Sequence, residues 1–190
     1  MTFKRKKSMK KVLLISANMM KKPYPVYPLG LDYVAGALAS GYETEILDMN
    51  NGLSPAALGE EIRRAAPDYI GLSIRNIDNT DTINSRGFLS DYQELAAVIR
   101  QNSQAPLILG GSGYTVFPVE FLRALDADYG LAGEGERLPA LLDALEGRGD
   151  IAAVPGVVTR QAAAVSCRAW EGELQRAFAP EAAHAKYYIS

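Results

Sequence analysis

The sequence predicts an α/β protein, a three-layer αβα sandwich in which helices cover both faces of a five-stranded parallel sheet. Short apolar runs, typical of strands buried on both faces, alternate with segments whose apolar residues recur at helical spacing. Five such strand–helix units follow one another within roughly 150 residues. Neighbouring parallel strands need a crossover connection, usually a helix, so this alternation favours a parallel sheet.

Each element has its own signal. The parallel strands are predicted at KVLLISA (11–17), ETEILDM (43–49), YIGLSIR (69–75), PLILGG (106–111) and YGLAG (129–133), with an additional edge strand at GVVTR (156–160). The buried faces of the five helices are predicted to be Leu31, Val34, Ala35 and Leu38; Leu58, Ile62 and Ala65; Leu95, Val98 and Ile99; Phe121, Leu122 and Leu125; and Leu138, Leu141, Leu142 and Leu145. Gly41 ends the first helix, and Ser54 and Pro55 supply the N-cap and first residue of the second.

The length suits one domain with an ample core, since 48% of the 190 residues are hydrophobic. We predict this domain over residues 11–150, after a basic and disordered tail at 1–10. Residues 151–190 are predicted to contain the edge strand and then a linker, because periodicity fails beyond about residue 162.

Charge is unevenly distributed along the chain. Eight of the 20 basic residues lie within the first 22 positions, which contain no acid, so 12 basic and 22 acidic residues remain. An acidic body repels a polyanion, and nucleic acid is therefore not an expected partner. No apolar run approaches the ~18 residues that span a membrane. The run VLLISA (12–17) is too short for a signal peptide, so we expect a cytoplasmic protein.

Cysteine and histidine are scarce. The chain has one of each, Cys167 and His184, which excludes a disulfide within these residues and a Cys/His zinc site. Both lie in the irregular C-terminal stretch, where a nucleophilic pair is not expected. We therefore predict no catalytic residues and no metal ligands.

Familiar phosphate-binding fingerprints are missing. A dinucleotide site needs G-x-G-x-x-G after the first strand, where this chain has only Gly30, and no P-loop sequence is present. A phosphoacceptor domain would carry acidic residues where Ser16 and Ser73 stand. An FMN site would need a hydroxyl-rich loop in place of the Pro- and Tyr-rich one. These absences argue against nucleotide chemistry.

Small residues instead end three successive strands. Ser73 ends the third strand, Gly110 and Gly111 the fourth, and Gly133 and Gly135 follow the fifth. Ligands of open parallel sheets bind at the carboxyl ends of the strands. Small residues there predict a slot for a flat, partly polar group, and Glu134 or Glu136 is expected to cap the following helix.

In these stretches the chain resembles the N-terminal cobalamin-binding domain of cobalamin-dependent radical SAM enzymes. The resemblance rests on YPLGLDYVAGALASGYETEILD (27–48), YIGLSIR (69–75), PLILGGSGYTVFP (106–118) and DYGLAGEGE (128–136), and covers roughly residues 11–149. It implies a Rossmann-like, flavodoxin-like fold that holds cobalamin base-off, with the nucleotide tail buried beside the sheet.

The resemblance also implies a set of cofactor-binding residues. The candidates are Asn18, Tyr27, Leu29, Ser73, Arg75, Asn76, Gly110, Gly111, Ser112, Gly113, Tyr114, Gly133, Glu134 and Gly135. The loop from Asn18 to Tyr27 would face the corrin ring. Gly110 and Gly111 would lack side chains because the tail lies against them, so a bulky residue at Gly111 should expel the cofactor and leave the fold intact.

Some roles stay open at this point. Arg75 would contact a cofactor amide or phosphate, or form a surface ion pair with Asp78. Tyr24, Tyr27 and Tyr114 would cover the corrin face or simply pack. Relatives of the methionine-synthase type bind cobalt through a histidine after the first strand, which this chain lacks. Asn18, a tyrosine of the loop or water would then occupy the lower face of the cobalt.

A second departure concerns the reaction. A radical SAM domain needs C-x-x-x-C-x-x-C to hold its iron–sulfur cluster, and one cysteine cannot provide this. The resemblance therefore implies a cobalamin-binding module of a longer radical SAM methyltransferase or related radical enzyme. The [4Fe-4S] cluster and SAM are expected only in a radical SAM domain in cis. The alternatives are a flavodoxin-like regulatory or interaction module, and a nucleotide-binding domain without catalysis of its own.

Overall fold

The computed structural model describes residues 9–21, 24–77, 87–161, 165 and 171–173. Most of the predicted basic tail and most of the predicted linker lie outside these residues. So do Asp78, Cys167 and His184, and the predicted ion pair between Arg75 and Asp78 stays a prediction.

A single six-stranded sheet forms the middle layer. Its strands are β1 (Lys10–Ser16), β2 (Tyr42–Asp48), β3 (Tyr69–Ser73), β4 (Leu107–Gly110), β5 (Tyr129–Leu131) and β6 (Val157–Thr159). They lie in the order β2-β1-β3-β4-β5-β6. The first five strands are parallel and β6 pairs antiparallel with β5, which confirms the predicted sheet and its extra edge strand.

Helices cover both faces of this sheet. They are α1 (Leu29–Leu38), α2 (Pro55–Ala65), α3 (Leu89–Asn102), α4 (Ser112–Val116), α5 (Pro118–Ala124) and α6 (Leu138–Leu145). The predicted N-cap of α2 is confirmed, since the Ser54 hydroxyl accepts the Ala57 N–H at 3.2 Å. Helix α4 was not predicted. It begins directly after Gly111, in a short segment that contains Gly113 and has no helical periodicity.

Two hydrophobic cores lie on opposite faces of the sheet, because successive strand residues point to opposite sides. Leu13 and Ile15 of β1 belong to the core covered by α2, α3 and α5. Val12 and Leu14 belong to the second core, covered by α1 and α6. The second face is the one that carries the candidate site.

Several strands are shorter than predicted. β5 was predicted to reach Gly133 but ends at Leu131, because Gly133 takes a left-handed conformation (φ +85°) that no strand continues. β3 likewise ends at Ser73 rather than Arg75. These early ends leave the following residues free to build a rim above the sheet.

The strand order reverses between β1 and β3, which fixes where a crevice opens. β1 is joined through α1 to β2 on one side, while β3 lies on the other side of β1. Helices that leave in opposite directions separate at such a point, at the carboxyl ends of the strands. Among the described residues, no helix is both long and apolar enough to cross a membrane.

Candidate functional site

A cavity of about 800 Å³ opens at the carboxyl ends of β1, β3, β4 and β5, between the sheet and helices α1 and α6. This volume lies within the range usual for small-molecule sites. A larger groove of about 1040 Å³ runs beside β6, near the amino ends of β4 and β5. We take the first as the candidate site because it lies at the strand-order reversal and collects the polar strand ends.

The floor of the cavity consists of two rows of residues that cross the sheet. Ser16, Ser73 and Gly110 are register partners on neighbouring strands and form the outer row. The inner row lies two residues earlier on each strand and consists of Leu14, Gly71 and Ile108. The outer row therefore consists of small residues, two of them with hydroxyls, while the inner row is apolar, with the Leu14 side chain close to Gly71.

Gly110 is the glycine that opens the cavity. A Cβ atom built on it meets nothing closer than the Leu131 carbonyl oxygen at 3.7 Å, which is ordinary contact. The position tolerates a side chain sterically, and that side chain would occupy cavity space. The structure thus contains a cradle that a flat ligand could fill.

Gly111 has a different reason to be glycine, and our expectation for it was wrong. Its φ is +101°, and a Cβ would lie 2.5 Å from the Ile74 carbonyl oxygen and 2.9 Å from the Ser73 hydroxyl. A bulky residue there would strain the backbone and push into the end of β3. It would damage the fold and not only expel a ligand.

Gly113 belongs to the same packing contact. A Cβ on this residue would lie 2.8 Å from the Arg75 carbonyl oxygen, and the Gly113 N–H donates to the Ile74 carbonyl at 2.9 Å. Gly113 does not line the cavity. It lets the start of α4 lie against the chain that leaves β3.

The turn after β5 forms another part of the rim, next to the turn after β4. Gly133, Glu134 and Gly135 line the cavity, and the Gly133 N–H donates to the Thr115 hydroxyl at 2.9 Å. A Cβ on Gly135 would lie 2.6 Å from Val34 Cγ2, so this glycine lets the turn approach α1.

The expected capping by Glu134 or Glu136 is wrong. Glu134 precedes a 3₁₀ turn, Gly135–Arg137, but its carboxylate makes no capping hydrogen bond, and α6 has no side-chain cap either. The Arg137 N–H donates instead to the Glu134 carbonyl at 3.3 Å. Pro139, in the first turn of α6, removes an N–H that a cap would accept.

The loop after β1 forms the third side of the mouth. Tyr27 and Leu29 line the cavity, and the Tyr27 hydroxyl donates to the buried Asp32 carboxylate, 2.9 Å from each oxygen. This bond anchors the loop to the first turn of α1. It also commits the Tyr27 hydroxyl, which makes this tyrosine a poor candidate for the lower cobalt ligand.

Asn18 is buried and also lines the cavity. Its Oδ1 accepts the Met20 N–H at 3.2 Å and an Asn76 amide N–H at 3.4 Å. Asn76 itself does not line the cavity, and its carbonyl accepts the Tyr92 hydroxyl at 2.7 Å. Asn76 therefore supports Asn18 from behind, whereas Arg75 lies exposed at the cavity edge.

Tyr114 does not face the cavity. It is fully buried in the core under α2, α3 and α5, with its ring across Gly130, where a Cβ would lie 1.7 Å from the hydroxyl oxygen. Burial raises the pKa of the Tyr114 hydroxyl. The suggestion that this tyrosine covers a corrin ring is wrong, because a β-strand lies between it and the cavity.

The structure brings most of the candidate residues together. Eleven of them line the cavity: Asn18, Tyr27, Leu29, Ser73, Arg75, Gly110, Gly111, Ser112, Gly133, Glu134 and Gly135. The apolar lining was not among the predicted site residues; it includes Leu14, Leu31, Val34, Gly71, Ile108, Leu131 and Leu138. Gly71 was a usable signal, since it interrupts a buried strand two residues before Ser73 and so points to the same face.

No cluster of three or more histidine, cysteine or acidic side chains is placed to bind a metal ion in the part of the chain that the structure describes. The polar groups at the mouth are hydroxyls, an amide, backbone N–H groups and the charged side chains of Arg75, Glu134 and Glu136. Such groups suit a strongly polar part of a ligand, while the apolar interior suits an aromatic one.

Comparisons with known proteins point to a ligand class. The family described as "B12 binding domain" matches residues 15–142. A tryptophan 2-C-methyltransferase from Streptomyces laurentii is 30% identical over 130 residues, which make up 67% of this chain and 21% of that protein.

Solved structures that resemble this chain include cobalamin-binding radical enzymes. The radical S-adenosylmethionine methyltransferase TsrM from Kitasatospora setae, solved with cobalamin and a [4Fe-4S] cluster, matches with a TM-score of 0.71 and 29% identity over 80% of this chain. The cobalamin-dependent radical enzyme OxsB matches with a TM-score of 0.63 and 19% identity, which supports the fold alone. The chain spans about a fifth of the methyltransferase from Streptomyces and 29% of TsrM.

Proposed function

The chain belongs to the B12 binding domain family, and on that premise we propose that its cavity holds the nucleotide tail of cobalamin while the corrin ring lies over the mouth. The observation that carries this proposal is the outer row, Ser16, Ser73 and Gly110, with open space above Gly110. A cavity of about 800 Å³ suits the tail rather than a whole corrinoid. The flavodoxin-like module and the nucleotide-binding domain are less favoured, because neither accounts for the family match.

The contacts follow from the position of each group. Ser73 and Ser16 offer hydroxyls to the tail, and Gly110 gives it room. Asn18 and Tyr27 lie at the mouth, where a corrin ring with its amide side chains would meet them. Arg75 is placed to reach a phosphate or an amide at the edge. When bound, cobalamin supplies a cobalt centre that can carry a methyl group.

We further propose that the chain serves as the cofactor module of a longer radical SAM methyltransferase or related radical enzyme in the cytoplasm. The radical SAM domain, with its [4Fe-4S] cluster and SAM, would lie in cis. Support comes from the names of the relatives and from the small share of their length that this chain covers. Exposed apolar side chains at the strand-end side, including Met19, Leu29 and Phe117, suit contact with another domain.

Binding can be tested with the chain itself. Purified protein mixed with hydroxocobalamin should show a shifted visible spectrum and keep its colour through gel filtration. Protein that elutes colourless, with unchanged thermal stability, would contradict the proposal. Parallel titrations with ATP, FMN and NAD test the nucleotide-binding alternative.

The cradle at Gly110 gives the sharpest variant. Gly110→Leu should abolish retention of cobalamin and leave the circular dichroism spectrum unchanged, because the side chain fills the cavity without a backbone clash. Gly41→Leu is a matched control: its Cβ position is also open, and it lies at the amino end of β2, away from the cavity. Full cobalamin binding by Gly110→Leu would exclude the proposed position of the tail.

A further inference from the structure

The inner part of the cavity has no polar side chain. Five buried apolar side chains line it, at 1–6% exposure: Leu14, Leu31, Ile108, Leu131 and Leu138. The partly buried Val34 lies at its border with the rim, against Gly135. The polar side chains of the lining lie at or beyond the strand ends, from the outer row to the rim.

The central strands add no free backbone hydrogen-bonding group to this inner part. β3 lies between β1 and β4, and β4 lies between β3 and β5, so their N–H and C=O groups are used within the sheet. Beyond its first turn the backbone of α1 is likewise used within the helix, and the Leu31 N–H donates to the Pro28 carbonyl at 2.9 Å. A ligand group that enters here meets hydrocarbon on the sheet side and on the helix side.

From this lining we infer that the site selects among corrinoids by the terminal base of the tail, and favours methylated benzimidazole over adenine. The inference rests on the proposed function, since it assumes that the tail enters this cavity. A dimethylbenzimidazole presents carbon-bound hydrogens and methyl groups along its outer edge. Adenine presents an amino group and ring nitrogens that would lose water and find no partner.

The floor around Gly71 is consistent with this assignment. A Cβ there would lie 2.8 Å from Leu14 Cδ2, so the glycine leaves room for the Leu14 side chain to lie across the floor. A flat aromatic ring fits against such a floor and covers apolar surface.

The experiment measures the dissociation constants of three corrinoids for the intact chain by absorbance titration. They are cobalamin, the analogue that carries adenine in place of dimethylbenzimidazole, and cobinamide, which lacks the nucleotide tail. We expect cobalamin to bind at least about tenfold more tightly than the adenine analogue, because one buried polar group without a partner costs this much affinity. Cobinamide should bind most weakly.

A single substitution tests whether the apolar lining causes this selectivity. Val34→Thr keeps the shape of the side chain and replaces one methyl group with a hydroxyl, which can accept a hydrogen bond from the adenine amino group, so it should reduce the ratio of the two dissociation constants by about threefold or more. Val98→Thr is the matched control, a partly buried helical valine that packs on the other face of the sheet. It should leave the ratio unchanged.

The outcomes separate the two claims. Equal affinity for cobalamin and the adenine analogue, both tighter than cobinamide, would overturn the selectivity and leave the proposed function standing. Equal affinity for all three corrinoids, or no binding of any, would overturn both. A ratio that responds equally to Val34→Thr and Val98→Thr would also overturn the assignment of the inner lining.

Discussion

Two adjacent glycines in this chain serve unrelated purposes. Gly110 faces open space, so its missing side chain creates volume. Gly111 has a left-handed φ and lies against the end of β3, so its missing side chain permits a backbone path. In sequence the two are indistinguishable, and only the first is a probe of ligand binding.

Two buried tyrosines offer a test of hydrogen-bond energetics in the core. The Tyr92 hydroxyl donates to the Asn76 carbonyl at 2.7 Å, whereas the Tyr114 hydroxyl has no partner within the described residues. We expect Tyr92→Phe to lower the free energy of unfolding by about 1 kcal/mol, since it removes a bond and leaves a carbonyl unpaired. Tyr114→Phe should leave it equal or raise it, because only an unpaired group is removed.

Urea unfolding of the two variants and the parent measures this difference. A loss of stability in Tyr114→Phe as large as that in Tyr92→Phe would contradict the assignment. Gly130→Ala is expected to be far more damaging than either, since its methyl group would overlap the Tyr114 ring.

Elements around the cavity are joined by one hydroxyl. The Thr115 side chain in α4 accepts the Gly133 N–H at 2.9 Å and donates to the Gly111 carbonyl at 3.0 Å. It therefore links the turn after β4 to the turn after β5, the two turns that form one side of the mouth. Neither turn is otherwise fixed by a side-chain cap.

Removing this link should loosen the mouth more than it weakens the fold. We expect Thr115→Val to lower the free energy of unfolding by only about 0.5–1.5 kcal/mol and to weaken cobalamin binding severalfold. Thr115→Ser keeps the hydroxyl and should restore binding. Absorbance titration together with urea unfolding checks both effects, and unchanged affinity in Thr115→Val would rule out a positioning role.

At the scale of the whole molecule, hydrogen bonds between charged and phenolic side chains join the end of α6 to the amino ends of β1 and β3. The Glu146 carboxylate, just after α6, accepts hydrogen bonds from the Lys10 ammonium of β1 and the Tyr69 hydroxyl of β3. These bonds, that from Lys10 first, hold the pKa of Glu146 below its ordinary value of 4.5. These hydrogen bonds lie at the end of the sheet opposite the mouth of the cavity.

This network predicts a pH dependence of stability. Because the folded pKa of Glu146 is lowered, its stabilising contribution is fully present above pH 4.5 and is lost as the pH falls through the lower folded value. Glu146→Gln should therefore be less stable than the parent at neutral pH, and the difference should shrink in acid. Thermal unfolding from pH 7 to pH 3 checks this; a difference that does not change with pH would contradict it.

Much of the architecture was predictable because strand and helix periodicities repeat. Core positions such as Leu58 and Ile62, and the edge strand β6, follow directly from pattern. The site was harder, because a glycine run reveals little about which face it borders. Counting alternate residues back from Ser73 would have identified Gly71 and the inner row. Nothing in the sequence separated Gly110 from Gly111, or placed Tyr114 on the far face.

The direction of β6 decides how this domain can be attached to anything that follows it. β6 begins beside Leu131 and ends beside Tyr129, so the chain leaves it at the edge of the sheet farthest from the mouth. Val165 then packs against the core under α2, α3 and α5. To return to the mouth, the chain must pass the full height of the sheet, about 23 Å for the seven residues of β1. In the proposed longer enzyme, a domain that follows β6 would therefore be attached at the amino ends of the parallel strands, on the side of the sheet opposite the cofactor site.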